Sequence, residues 1–287
     1  MASTIVLRQR IKSVKGTRQI TQAQQLVAAS KLRRAQEQAQ ASQAYADLAN
    51  GLLGRLSGIA EVAQEPLFEK RAVKSRLYLV ITSNTGLAGA YNANVLKQLT
   101  GAVNADRAAQ VSSHVIAIGN RGTQFVRRIS DLDLQAAFPA FSGHPTANDI
   151  RPILNTILEQ YKAGAVDEVQ VLYTKFKSTV VQTAQSLQLL PAQAPEKTQQ
   201  QIVSTFEPDI ETVIDQVVTR LIEAQVWQAL LESIASEHAM RMVAMKNATD
   251  NAKDLIDDYT LALNTARQAA ITQELAEITG GAEALNG

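Results

Sequence analysis

The chain is 287 residues long, 46% hydrophobic and only 5% aromatic, with a formal net charge of +1. That is enough apolar matter for one large domain or two modest ones, so disorder is not the default reading. It contains no cysteine, which excludes disulfides, thiol catalysis and Cys-based metal sites, and no uncharged apolar window reaches the roughly 18 residues that a bilayer-spanning helix needs.

Residues 1–36 carry Arg8, Arg10, Lys12, Lys15, Arg18, Lys31, Arg33 and Arg34 and no Asp or Glu. An acid-poor, Arg-containing start can be a transit peptide, a basic arm for nucleic acid, or one face of a long helix. The helical pattern runs past Glu37 without a break, and no aromatics interleave the basic residues, so the long helix is the reading carried forward. It spans 1–58, from an N-cap at Ser3 to Gly51 or Gly58, softened at Gly16. Ile11, Val14, Leu26, Val27 and Leu32 form its apolar stripe, with Ala28, Ala29 and Ala35 between them.

All prolines lie between Pro66 and Pro208. Proline inside a helix removes a hydrogen bond and clashes with the preceding turn. Two long proline-free ends around a punctuated middle therefore predict two long helices flanking a globular insert. The insert, residues 74–195, reads as a Rossmann-like α/β domain. Strand-like runs are RLYLVIT (76–82), HVIAIG (114–119), EVQVLYTKF (168–176) and LQLLP (187–191), with helices near 91–104, 120–130 and 147–163. Such alternation implies βαβ units and a mainly parallel sheet.

The last predicted element is a helix over 208–287. Pro208 suits its first turn, and Gly280–Gly281 is the expected terminator. Ile210, Val213, Ile214, Val217, Leu221 and Ile222 share one face at helical spacing. Leu230, Leu231 and Ile234 continue it, followed by Leu255, Ile256, Tyr259, Leu263, Ile271, Leu275 and Ile278. Neither terminal helix can bury its stripe alone, so the two are expected to pair as an antiparallel coiled coil. Residues 250–287 hold seven acids against Lys253 and Arg267, a charge bias opposite to that of the N-terminus. Apolar burial still dominates such a pairing, since exposed ion pairs add little.

Two glycine loops follow strands: SNTGLAGAYN (83–92) and IGNRG (118–122). The first lacks both G-x-x-x-x-G-K-[ST] and the third glycine of G-x-G-x-x-G, and Asp106, where a ribose-binding acid could fall, ends no visible strand. Both loops read as turns that pack a helix closely on a strand; the alternative is a nucleotide cradle. His114, His144 and His238 are scattered, with no metal-ligand spacing. Ser83 and Thr85 have no neighbouring histidine, and Asp131/Asp133 and Asp257–Asp258 read as solvated faces. No catalytic, cofactor-binding or metal-ligating residue is assigned.

Residues 236–282, SEHAMRMVAMKNATDNAKDLIDDYTLALNTARQAAITQELAEITGGA, resemble the C-terminal signature of the γ subunits of F-type ATP synthases. So does IKSVKGTRQITQAQQLVAASKLRRAQ (11–36). SNTGLAGAYN resembles the family's glycine-rich segment, and FEPD (206–209) the element that opens its long C-terminal helix. The resemblance implies a rotor in the central stalk of the F1 sector, whose coiled coil enters the α3β3 head and whose α/β domain rests against ε and the c-ring. It implies that nucleotide turns over in β, and that this chain sits peripherally on the cytoplasmic face of a bacterial plasma membrane, or on a mitochondrial or thylakoid inner face. Membrane contact would then be indirect, and no nucleic acid is implied as partner. By resemblance Arg267, Gln268, Thr272 and Glu274 meet β, while Phe206 and Glu207 face ε and the c-ring. Two departures stand out: Gln22-Ala23-Gln24 replaces the family's usual Lys-Ala-Met, and the cysteine-bearing insert of thiol-regulated chloroplast forms is absent.

Overall fold

The computed structural model describes residues 4–56, 66–130, 132–141, 145–192 and 210–286. Its elements run α1 (Thr4–Leu56), β1 (Ser75–Ile81), α2 (Tyr91–Ala108), β2 (Ser112–Ile118), α3 (Asn120–Val126), β3 (Asp133–Phe138), α4 (Ala147–Lys162), β4 (Glu168–Phe176), β5 (Gln182–Leu190) and α5 (Ile210–Asn286). The chain divides into two compact units, one of 1–28 with 242–287 and one of 29–241.

In the first unit, α1 and α5 pair antiparallel. Tyr259 packs against the guanidinium of Arg10, and Thr249 Oγ1 donates to Thr21 Oγ1 at 2.7 Å, so one index rises as the other falls. One line of buried and half-buried positions on α1 here runs Leu7, Ile11, Val14, Arg18, Thr21, Gln25 and Ala28. A matching line on α5 runs Met245, Thr249, Ala252, Ile256, Tyr259, Leu263 and Ala266. Both series alternate steps of four and three, the spacing that keeps a seam facing its partner in a left-handed coiled coil. The seam is therefore narrower than the stripe expected from sequence. Leu26, Val27 and Leu255 fall outside it and are exposed. Gly16 does not break α1, and a Cβ there would meet nothing within 4 Å.

The second unit is built on a five-stranded sheet in the order β3-β2-β1-β4-β5, parallel except for the β4–β5 hairpin. Alternate side chains feed opposite faces, as the pleat requires. Leu77, Leu79, Ile81, Ile116, Ile118, Val169 and Val171 pack with Ile150, Ile153 and Ile157 of α4 and with Leu221, Ile222 and Leu230 of α5. Tyr78, Val80, Val115, Ala117 and Leu172 pack on the other side with Val95, Leu99 and Val103 of α2. A portion of α5 thus belongs to the core of the sheet domain. In this unit α1 contributes Leu32 and Ala35 to the interior, α5 contributes Ala235 and Ala239, and Gln228 of α5 donates to Gln43 of α1 at 2.7 Å.

The sequence reading missed β3, whose DLQAAF has small or polar residues and a half-exposed alternation suited to an edge strand. Its first residue, Asp133, is exposed, as read from sequence, and meets His114 Nδ1 at 2.8 Å across the β2–β3 ladder. β5 begins five residues earlier than the LQLLP run, because its QTAQS half is polar and lies on the opposite edge. Gly280–Gly281 does not end α5, which continues to Asn286. Glycine costs a helix only about 1 kcal/mol against alanine, and the flanking residues are good helix formers. Ser3, Gly58, Asp131, His144, Phe206, Glu207 and Pro208 lie outside the described residues.

Candidate functional site

The first candidate is the glycine loop at the carboxyl end of β1. Ser83 N donates to Asn92 Oδ1 at 3.0 Å, and Ser83 Oγ donates to the Thr85 carbonyl at 2.6 Å. Asn84 clips the loop to β3's exit, donating to Ala140 O and accepting from Ala140 N, both at 2.8 Å. Leu87 and Gly89 turn the chain with φ of 61° and 55°. The loop's outward carbonyls at Thr85 and Gly86 accept from Arg241 of α5, at 3.5 and 3.4 Å. A phosphate cradle presents amide donors, whereas this loop presents carbonyls to a cation of its own chain. The second loop is tighter still. Gly119 caps α3 with φ of 97°, where a Cβ would stand 2.2 Å from Thr82 O. Gly122 N donates to Thr82 Oγ1 at 2.9 Å. Both loops join helix to strand by close packing.

Asp106, weighed as a ribose ligand, is buried at the amino ends of β1 and β2. It pairs with Arg76 and accepts from Tyr78 Oη at 2.6 Å and Ser113 Oγ at 3.0 Å. Burial pushes the Tyr78 phenol up to about 12. All the acceptor capacity of this carboxylate is turned inward, as in a structural ion pair. Among the described residues no group of three or more His, Asp or Glu is arranged to hold a metal ion.

The second candidate is the end of α5. Every residue from 267 to 282 is exposed, although Ile271, Leu275 and Ile278 recur at i, i+4 and i+7. Ile278 is 67% exposed. At 3.6 residues per turn these three form one apolar line. Arg267 and Glu274, seven residues apart, run along one flank of it. Gln268 and Thr272, four apart, run along the other, and Thr272 Oγ1 donates to the Gln268 carbonyl at 2.9 Å. Neither Arg267 nor Glu274 forms an ion pair among the described residues. The arrangement is a polar-railed apolar stripe on a single helix. Sequence reasoning found its residues but placed Ile271, Leu275 and Ile278 in the coiled-coil seam, because the period of the pattern does not change where the partner helix stops. Gln22 of α1 is exposed and Gln24 half-buried.

The chain matches the family model described as ATP synthase over residues 3–285. It is 39% identical to the ATP synthase gamma chain of Acidithiobacillus ferrooxidans (strain ATCC 53993), over 99% of this chain and 100% of that protein. It is 42% identical to that of Roseiflexus sp. (strain RS-1), over 99% of each. Among solved structures it superposes on a chain of the Euglena gracilis mitochondrial ATP synthase OSCP/F1/c-ring assembly with a TM-score of 0.70, at 18% identity, covering 98% of this chain and 94% of that one. A chain of the Tetrahymena thermophila mitochondrial ATP synthase central stalk and c-ring gives 0.65 at 24% identity, covering 80% and 99%. Those two likenesses concern the fold.

Proposed function

The chain belongs to the family of ATP synthase γ chains, and on that premise we propose that it is the central rotor shaft that couples c-ring rotation to ATP synthesis or hydrolysis at the β subunits. The observation that carries this reading is the bare end of α5, an apolar stripe with polar rails on a helix whose seam positions Met245, Ala252 and Ile256 are buried further back along its length. Contiguous exposed apolar surface of this kind marks a protein contact. The α and β subunits are the partners that cover it, with Arg267, Gln268, Thr272 and Glu274 reaching β. The α/β domain meets ε and the c-ring, to which Phe206 and Glu207 contribute by resemblance.

The mechanism follows from stiffness and asymmetry. α5 takes part in the sheet domain's core and also supplies the exposed stripe, so torque on the domain reaches the stripe through one continuous element. A rail of Arg267 and Glu274 on one side and of Gln268 and Thr272 on the other gives each rotational angle a different contact with chemically equivalent neighbours. Turning the rod then biases each β site in turn, which is allostery by rigid-body movement. The chain performs no chemistry on nucleotide itself. It binds the membrane only through the c-ring, and in bacteria it would lie on the cytoplasmic face. No described helix is long and apolar enough to cross a membrane.

The test is the double substitution Arg267→Ala/Gln268→Ala in the assembled complex. Loss of a partly buried, charge-assisted contact costs about 1.5–3 kcal/mol, so ATP-driven proton pumping in reconstituted vesicles should weaken while circular dichroism of the chain stays unchanged. Undiminished pumping by a fully assembled complex would contradict the placement of the contact.

A further inference from the structure

The carboxyl ends of β1, β2 and β3 open into a crevice of about 260 Å³ that the glycine loop does not fill. In open α/β sheets this is where ligands bind. Here the crevice is roofed by the terminal helices. Lys31, Arg34 and Gln38 of α1 and His238 and Arg241 of α5 line it, opposite Thr85 of the loop. Arg241 is already engaged, pairing with Glu237 at 2.5 Å and donating to Thr85 Oγ1 at 3.3 Å. That leaves Lys31 and Arg34, three residues apart on one face of α1, with no ion-pair partner among the described residues. The Thr85 hydroxyl accepts from Arg241, so its own proton is free to donate into the space.

We propose that this crevice is a binding site for a small tetrahedral oxyanion of the phosphate class, held by Lys31 and Arg34 with the Thr85 hydroxyl. Three lines support it. The charge is right: the crevice carries three cations against the single carboxylate Glu237. The donors are right, since an arginine fork and a lysine ammonium are the side chains suited to phosphate oxygens. The local field is right as well. His238 is held down to about 4, by burial first and then by the Arg241 and Lys31 cations, so the imidazole stays neutral beside them. The volume corresponds to roughly nine waters at about 30 Å³ each, room for one oxyanion with part of its hydration. An anion there would tie α1, α5 and the β1 loop together with one ligand. The same chemistry is presented by inorganic phosphate and by the terminal phosphate of a nucleotide.

The experiment uses the full chain with ¹³C-labelled histidine, titrated with phosphate against chloride at constant ionic strength. The His238 imidazole resonance should shift saturably with phosphate and not with chloride. Calorimetry should give the same midpoint, at least tenfold weaker in Lys31→Gln/Arg34→Gln. Both substituted residues are exposed, so melting without phosphate should match the parent chain. Should the variant fold poorly, the His238 shift in the unsubstituted chain still decides the matter. Parallel titrations with ADP and ATP identify the source: tighter binding than phosphate assigns the site to a nucleotide's phosphate, and equal or weaker binding assigns it to the free ion. A His238 resonance that phosphate leaves in place, or equal affinity in the double variant, would overturn the proposal.

Discussion

Thr21 and Thr249, 228 residues apart in sequence, share a hydrogen bond of 2.7 Å across the seam between α1 and α5. A polar pair at a heptad position costs some apolar burial, yet it is satisfied only when the two helices stand in one register. Arg10 and Tyr259 obey the same register one to two heptads away.

Thr21→Cys with Thr249→Cys should form a disulfide in high yield under mild oxidation, because facing hydroxyls at hydrogen-bond distance bring the two Cβ atoms near disulfide range. The chain has no other cysteine to compete. Leu26→Cys with Thr249→Cys should not crosslink, since Leu26 is exposed off the seam. The reverse pattern on a non-reducing gel would mean a different register.

Ile256→Ala should cost about 2–4 kcal/mol, the range for truncating a buried isoleucine, because Ile256 is 8% exposed within the seam. Leu261→Ala should change stability by less than about 0.5 kcal/mol, because Leu261 is 69% exposed. Urea melts of the two variants check the contrast. Equal losses would remove the distinction between seam and outer face.

How much of this was legible in sequence depends on the kind of signal. β1, β2 and β4 were legible because buried central strands read as continuous apolar, β-branched runs. β3 was not, because an edge strand of Asp, Leu, Gln and Ala has no such run. The terminal helices were legible from missing proline, but their seam was not. Leu26 and Val27 are as hydrophobic as Leu32, and only the partner helix decides which of them is covered. Arg267, Gln268, Thr272 and Glu274 were placed by resemblance, and the structure adds that they flank an exposed stripe. The cationic crevice was invisible, since Lys31 and Arg34 meet Thr85 and Arg241 only after the chain folds.

Acid should expose His238. Its folded value lies near 4 against 6.5 for the free group, so the unfolded chain takes up the proton first as pH falls. Stability owed to the neutral imidazole is complete above about pH 6.5 and is lost progressively down to about pH 4, at most roughly 3 kcal/mol. Buried Glu232 acts oppositely: burial raises its value, so acidification there favours the folded state. His238→Gln should therefore lose less stability than the parent between pH 6.5 and 4, as read from urea midpoints. Identical pH profiles would show that the imidazole is not shielded.

The central claim is that this chain turns as a shaft against a fixed head. Val180, in the turn between β4 and β5, is 84% exposed, and Val180→Cys would provide the chain's single thiol for a bead. In the complex immobilised through α or β, ATP should drive the bead around continuously in one direction, and Arg267→Ala/Gln268→Ala should weaken that torque. Undirected bead fluctuation in a complex that is hydrolysing ATP at its full rate would contradict the account.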